Sequence, residues 1–260
     1  MFLLLDGLIT NLYRVWVVRT AHILKMKKQI FLLDIGHYEP EITALTLPFI
    51  KVWAEKIGAD IFTITERKFP DWPITYEKMQ IYELAQQFGA DWNIYIDLDT
   101  LIHPECPDFT AHLDKSVVAI HNYDVASVRF KMDKYFWRDG RYFAFGNWFT
   151  VASDWCIDLW RPLDDLTLEQ ALENIRPTPH ELNNGITREH LIDDYTLTRN
   201  LSRYGIKFTT FVKMWQAMNT NMGFLQHRYI PMADDEKKTG KIDVIRGTMK
   251  TWQIENYFKG

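Results

Sequence analysis

Apolar and polar positions follow two alternating rhythms along the first half of the chain. Ile30 to Ile35 is a short apolar run that stops at Gly36, the pattern of a strand covered on both faces. From Glu41 to Ile57 the apolar residues instead recur at Ile42, Leu45, Phe49, Val52, Trp53 and Ile57 and end at Gly58. That spacing predicts a helix with a glycine terminator. A second strand is expected over Asp60 to Thr65. After the proline-rich loop "KFPDWPIT", a second helix is expected from Tyr76 to Phe88, closed by Gly89. A third strand follows in "DWNIYIDLDTLIHPE", where the apolar run Ile94 to Ile96 ends in two carboxylates, Asp97 and Asp99, with Leu98 between them.

Strand, helix, strand, helix, strand with short connections predicts an α/β fold built on a mostly parallel, doubly wound sheet. In such sheets ligands bind beyond the carboxyl ends of the strands, where loops diverge and helix N-termini point into the crevice. Asp97 and Asp99 fall at that end. The second half is less regular. It suggests a strand over Ser116 to His121, a loop of aromatic and charged residues from Tyr123 to Arg141, and an apolar segment from Phe143 to Ala152. Helices at Leu166 to Ile175 and His190 to Tyr204 and a strand at Lys207 to Val212 complete it. With no repeats and no low-complexity linker, residues 26–260 read as one domain.

Composition narrows the function classes. The chain has 260 residues, 47% of them hydrophobic and 15% aromatic, which is ample for a buried core. Its net charge of -4 is well mixed, so no polybasic surface points to nucleic acid. The two cysteines, Cys106 and Cys156, fit neither a disulfide framework nor a zinc cluster, and a cytoplasmic setting is the default expectation. The N-terminal residues 1–25 are apolar, but Asp6, Arg14 and Arg19 interrupt them short of the roughly 20 apolar residues of a membrane span. Leu5, Leu8, Leu12, Val15 and Trp16 recur at helical spacing. The segment therefore reads as an amphipathic appendage that packs on the domain or, alternatively, makes peripheral contact with the inner face of a membrane.

Two carboxylates at the end of an apolar strand repel each other in a partly desolvated site. A hard divalent cation removes that repulsion, and oxygen ligands suit Mg²⁺ or Mn²⁺ holding the phosphates of a ligand. The competing reading is a pair of solvated turn aspartates.

The run "YEKMQIYELAQQFGADWNIYIDLDTLIHPE" resembles the D-x-D region of nucleotide-sugar glycosyltransferases of the GT-A fold, particularly the glycogenin-like and lipopolysaccharide-galactosyltransferase-like group. In that group a lysine-bearing helix precedes a strand ending in Y-x-D-x-D-T. The resemblance is specific only around Tyr76 to Glu105, while the order of elements matches over roughly residues 30–230. It implies a nucleotide-sugar half at about 26–122 and an acceptor half at about 123–260.

Residue by residue, the resemblance makes Asp97 and Asp99 ligands of Mn²⁺ or Mg²⁺, with Asp97 also near the ribose or sugar. It places Lys78 toward the sugar-phosphate, and adds Asp34 and Asn147 as donor contacts. "YFAFGNWFTVAS" departs from the family order Asn-x-Gly, since Gly146 here precedes Asn147. "HLIDDYTLTRNL" resembles the helix that brings an acidic residue to the acceptor side, with Asp193 and Asp194 as candidates for the catalytic carboxylate. Neighbours on a helix point about 100° apart, so one of them faces the crevice more easily, and Asp194 is preferred. His227 in "GFLQHRY" is the candidate nitrogen ligand of the metal. The family's glycine-rich lysine motif is not cleanly present; Lys237, Lys238 and Lys241 in "DDEKKTGK" are loose substitutes within what reads as a solvated charge run.

The implied function is metal-dependent transfer of a hexose from a nucleoside-diphosphate sugar, UDP favoured, to a hydroxyl of a glycan or lipid-linked acceptor, with retention favoured. Two other readings stay open. One is a non-catalytic nucleotide-sugar-binding module. The other is a haloacid-dehalogenase-type phosphatase, disfavoured because Leu101 stands where its motif wants Thr or Val. Tyr135, Phe136 and Trp137 are possible sugar platforms in the aromatic loop.

Overall fold

The structure is a computed structural model. It describes residues 26–120, 147–177, 179–183, 185–218, 224–226 and 235–258. Among these, six strands form one sheet in the order β2-β1-β3-β6-β5-β7. The strands are β1 (Lys28–Leu33), β2 (Ala59–Ile64), β3 (Trp92–Ile96), β5 (Val117–Ile120), β6 (Phe149–Ser153) and β7 (Lys207–Thr210). β1 runs parallel to β2 and to β3, and β5 parallel to β7, while β6 is antiparallel to both of its neighbours. The fold is thus Rossmann-like α/β, a mostly parallel central sheet flanked by helices.

Both faces of the sheet are covered, which is why its central strands read as nearly unbroken apolar runs. Ile30, Leu32, Ile94 and Ile96 face one cluster, which holds Trp53 of α1 (Pro40–Ile57). Phe31 and Tyr95 face the other, with Ala85 of α2 (Ile81–Phe88), and with Trp160 and Leu197. Gly58 and Gly89 close α1 and α2 in the left-handed conformation, at φ of 67° and 58°. A residue without a Cβ adopts that conformation at least cost.

The structure shortens or divides several expected elements. The helix expected from Tyr76 begins as a 3-10 turn, Ile74–Gln80, after Pro73, and becomes α-helical only at Ile81. The helix expected over Leu166 to Ile175 is α3 (Leu168–Glu173), trimmed by a capping box in which Thr167 and Gln170 exchange hydrogen bonds. After α4 (Pro179–Asn183), the helix expected from His190 opens as a 3-10 turn, Glu189–Leu191, and continues as α5 (Ile192–Arg203). The last expected strand stops at Thr210, whose hydroxyl accepts from the Lys213 backbone N–H at 3.3 Å and caps a new helix, α6 (Phe211–Ala217). Short strands β4 (Leu101–Ile102) and β8 (Leu225–Gln226) pair antiparallel beside the main sheet. A final helix, α7 (Asp235–Thr251), lies where the sequence suggested only charge.

Among the described residues, no helix is long and apolar enough to cross a membrane. Residues 1–25, the aromatic loop with Tyr135, Phe136 and Trp137, and His227 lie outside the described residues, as do the side chains of Lys237 and Lys238.

Candidate functional site

The chain after β3 does not continue as strand. The Thr100 backbone N–H donates to the Asp97 carbonyl at 3.0 Å, closing a turn over Asp97 to Thr100, and the Asp97 N–H donates to the Trp148 carbonyl at 2.8 Å. Leu98 packs against the α1 side of the core, and its carbonyl accepts from the Thr46 hydroxyl on α1. With the middle residue held this way, Asp97 and Asp99 both line a cavity of about 330 Å³. Asp34, Glu39, Lys78, Tyr95, His190 and Lys241 line it as well. It opens beyond the carboxyl ends of β1 and β3, where a parallel sheet places its ligands.

Each aspartate of the turn meets a different buried lysine. Lys78, on the 3-10 turn before α2, places its Nζ 2.7 Å from Asp193 Oδ2 on α5, 3.2 Å from Asp97 Oδ1 and 3.3 Å from the Asn147 carbonyl. It also lies 4.8 Å from the centroid of the Tyr95 ring, whose hydroxyl donates to Asp97. Burial pulls the Lys78 pKa down, but the carboxylates of Asp193 and then Asp97 outweigh it and hold that pKa well above the ordinary lysine value. Burial, and then the Asp97 charge, push the Tyr95 phenol up in the same way.

Asn147 ties this cluster together. Its side-chain amide donates to Asp193 Oδ2 at 3.3 Å, its backbone N–H donates to Asp194 Oδ1 at 3.1 Å, and its amide oxygen accepts from Thr150 at 3.1 Å. Asp193 is buried between Lys78 and Asn147, and Asp194 is the more exposed of the pair. Neither is among the residues lining the cavity; Lys78 stands between Asp193 and the open space. Lys78 and Asp193 meet although 115 residues separate them in sequence. Asp34 lies at the end of β1 with its carboxylate 2.9 Å from His37 Nδ1.

The second lysine departs from the reading of "DDEKKTGK" as a solvated run at its last residue. Lys241 is only 3% exposed; it pairs closely with Asp99 and lies 3.3 Å from both oxygens of Glu39. Its helix buries Ile245 and half-buries Ile242 and Met249 against Ile42 and Phe49 of α1 and Leu101, and Trp252, just past the helix end, joins them. Burial raises the Glu39 carboxyl above its ordinary value, against the pull of Lys241. Lys241 itself is raised, because Asp99 and then Glu39 overcome the cost of its desolvation.

Two members of this site, Glu39 and His190, were missed from sequence, and Lys241 was named only as a loose substitute within a solvated run. Glu39 carried a signal, an acidic residue in the loop leaving a core strand. Lys241 carried one too, since Ile242, Ile245, Met249 and Trp252 recur at helical spacing beside it. His190 carried none.

Two carboxylates and open space suit a hard divalent cation better than a soft one. Among the described residues no three carboxylate, imidazole or thiol groups converge to hold a metal unaided. That is the usual situation for Mg²⁺-type ions, which take one or two carboxylates and complete their shell with water and substrate phosphate. Among the described residues that line the cavity, four carboxylates, Asp34, Glu39, Asp97 and Asp99, stand beside two ammonium groups, Lys78 and Lys241. The donor set therefore fits a divalent ion that arrives with a phosphate ligand.

No protein family and no curated protein matches the sequence. Among solved structures, the chain is similar to a glycosyltransferase involved in the glycosylation of the major capsid of PBCV-1. That likeness covers 84% of this chain and 99% of the other, at 10% sequence identity and a TM-score of 0.48. At that level it carries no weight for the chemistry, which rests on the site itself.

Proposed function

We propose that the protein is a glycosyltransferase that moves a sugar from a nucleoside-diphosphate sugar, UDP favoured, to a hydroxyl acceptor such as a glycan or lipid-linked saccharide. The observation that carries this reading is the convergence of Asp97, Lys78, Asn147 and Asp193, from four separate segments, behind the cavity at the carboxyl end of β3.

Asp97 and Asp99 are the residues that would hold a Mn²⁺ or Mg²⁺ ion, which when bound supplies positive charge to the diphosphate. The chain's own residues supply the rest. Lys78 presents a permanently charged ammonium to the side of the cavity where negative charge develops as the anomeric carbon–oxygen bond breaks and its electron pair passes to the diphosphate. Asp193 and Asn147 fix that ammonium and are positioning residues. Asp34 extends the donor side beyond β1. The acceptor oxygen bonds to the anomeric carbon, and its proton passes to the departing diphosphate when both lie on one face of the sugar. That retaining course needs no separate base. Asp194, the more exposed carboxylate of α5, is the residue assigned to the acceptor side of the sugar.

The test is release of free sugar from a panel of UDP-, GDP-, CMP- and dTDP-sugars, with and without Mn²⁺, beside thermal-shift binding of the same panel. Mn²⁺-stimulated release that vanishes in Asp99→Ala is the expected result. Tight nucleotide binding with no turnover of any donor, with or without an acceptor pool, would sink the enzyme reading in favour of a binding module.

A further inference from the structure

Lys241 has two carboxylate partners of unequal reach. Asp99 holds its ammonium in a close ion pair, while Glu39 faces it with both oxygens at 3.3 Å. All three side chains are at least nine-tenths buried. A buried ammonium must keep a countercharge, so Lys241 can leave one carboxylate only for another. Glu39 supplies the alternative from a fixed place, immediately before Pro40 opens α1. An ammonium and a divalent cation compete for the Asp99 carboxylate, because like charges at contact distance repel strongly in a half-desolvated site.

We propose that Lys241 is the resting counter-ion of Asp99 and withdraws onto Glu39 when a divalent cation takes that carboxylate, so that cation occupancy is transmitted to α7. The proposal rests on the reading of Asp97 and Asp99 as cation ligands. The physical link is direct: Lys241 is on the same buried stripe as Ile245, which anchors α7 to α1 and β4. Loss of the Asp99 contact removes a polar tie of that helix and leaves its apolar ties in place. Glu39 acts through Lys241 and is a positioning residue.

Calorimetric titration of Mn²⁺ into the full chain without donor tests the competition. Removing the resident charge in Lys241→Met should tighten Mn²⁺ binding by about tenfold or more, the scale on which one near charge shifts ion occupancy. Glu39→Gln should weaken it, because the displaced ammonium then lacks a second partner, and that weakening should shrink when Lys241→Met is already present. Unchanged or weaker binding in Lys241→Met overturns the proposal while leaving the cation site intact. An equal Glu39→Gln effect with and without Lys241 overturns it as well, since Glu39 would then act only through its field. No Mn²⁺ binding to either the unaltered chain or Lys241→Met overturns this proposal, whereas the cation reading itself falls only if neither binds Mn²⁺ with UDP added to supply the phosphate.

A measurement on the unaltered chain guards against variants that fail to fold. Saturating Mn²⁺ should speed amide hydrogen exchange over residues 235–251 while α2 stays unchanged. Identical exchange of α7 with and without Mn²⁺ overturns the coupling.

Discussion

Replacing Lys78 by methionine keeps most of the side chain's volume and removes its charge. In the intact protein one ammonium serves the Asp193 carboxylate at 2.7 Å, the Asp97 carboxylate at 3.2 Å and the Asn147 carbonyl at 3.3 Å. The side chains of Lys78 and Asp193 are 7% and 5% exposed, so Asp193 cannot turn to water when its partner is gone, whereas Asp97, at 24%, partly can. Deleting one member of a buried ion pair costs about 3–5 kcal/mol, most of it the penalty of the charge left behind. For a chain of this size each kcal/mol lowers the melting temperature by roughly 2–4 °C, so Lys78→Met should melt about 6–20 °C lower than the parent. Differential scanning calorimetry reads this directly. The double variant Lys78→Met with Asp193→Asn removes the stranded charge and should recover a large share of the loss, because the destabilisation belongs to the uncompensated carboxylate. A single variant that melts within a degree or so of the parent, or a double variant no better than the single, would refute the buried ion-pair account of the site.

Two further outcomes follow from groups away from the cavity. Asp165 is hydrogen-bonded by Arg199, which holds its carboxyl below the ordinary value of 3.8. A depressed pKa contributes stability that is present above the unfolded value and lost as pH falls through the folded one. Asp165→Asn should therefore melt below the parent at pH 7, and the gap should close below about pH 4; a gap independent of pH in urea melts would contradict the pairing. Thr167→Ala should cost about 1 kcal/mol by removing the cap of α3, seen as a small drop in urea midpoint at unchanged slope, and no drop would discount the capping box.

Much of the fold was legible because it depends on local rules. Ile42, Phe49, Trp53 and Gly58 announce a helix and its end through spacing alone, and the buried runs of β1 and β3 announce strands covered on both faces. The errors came where a single hydrogen bond decides a boundary. Thr210 ends a strand by capping α6, a choice that the apolar continuation into Phe211 and Val212 conceals. Pro73 and the 3-10 turn that follows it delay α2 to Ile81, and so set where Lys78 stands.

For the candidate site, the sequence by itself determined that Asp97 and Asp99 lie at the carboxyl end of a core strand, because strand polarity and the β-α-β order are written in periodicity. It also marked Lys78, Asn147, Asp193 and Asp194 through resemblance, without saying which of them touch. Only the tertiary structure decided that Lys78 joins Asp97 to Asp193, that Asn147 bridges both acidic residues of α5, and that Lys241 reaches Asp99 and Glu39 from the far end of the chain. The physical reason is range. Periodicity and caps act over a turn or a few residues, whereas a buried charge takes its partner from whatever segment the packed core brings alongside it, and that distance is not encoded in neighbouring residues.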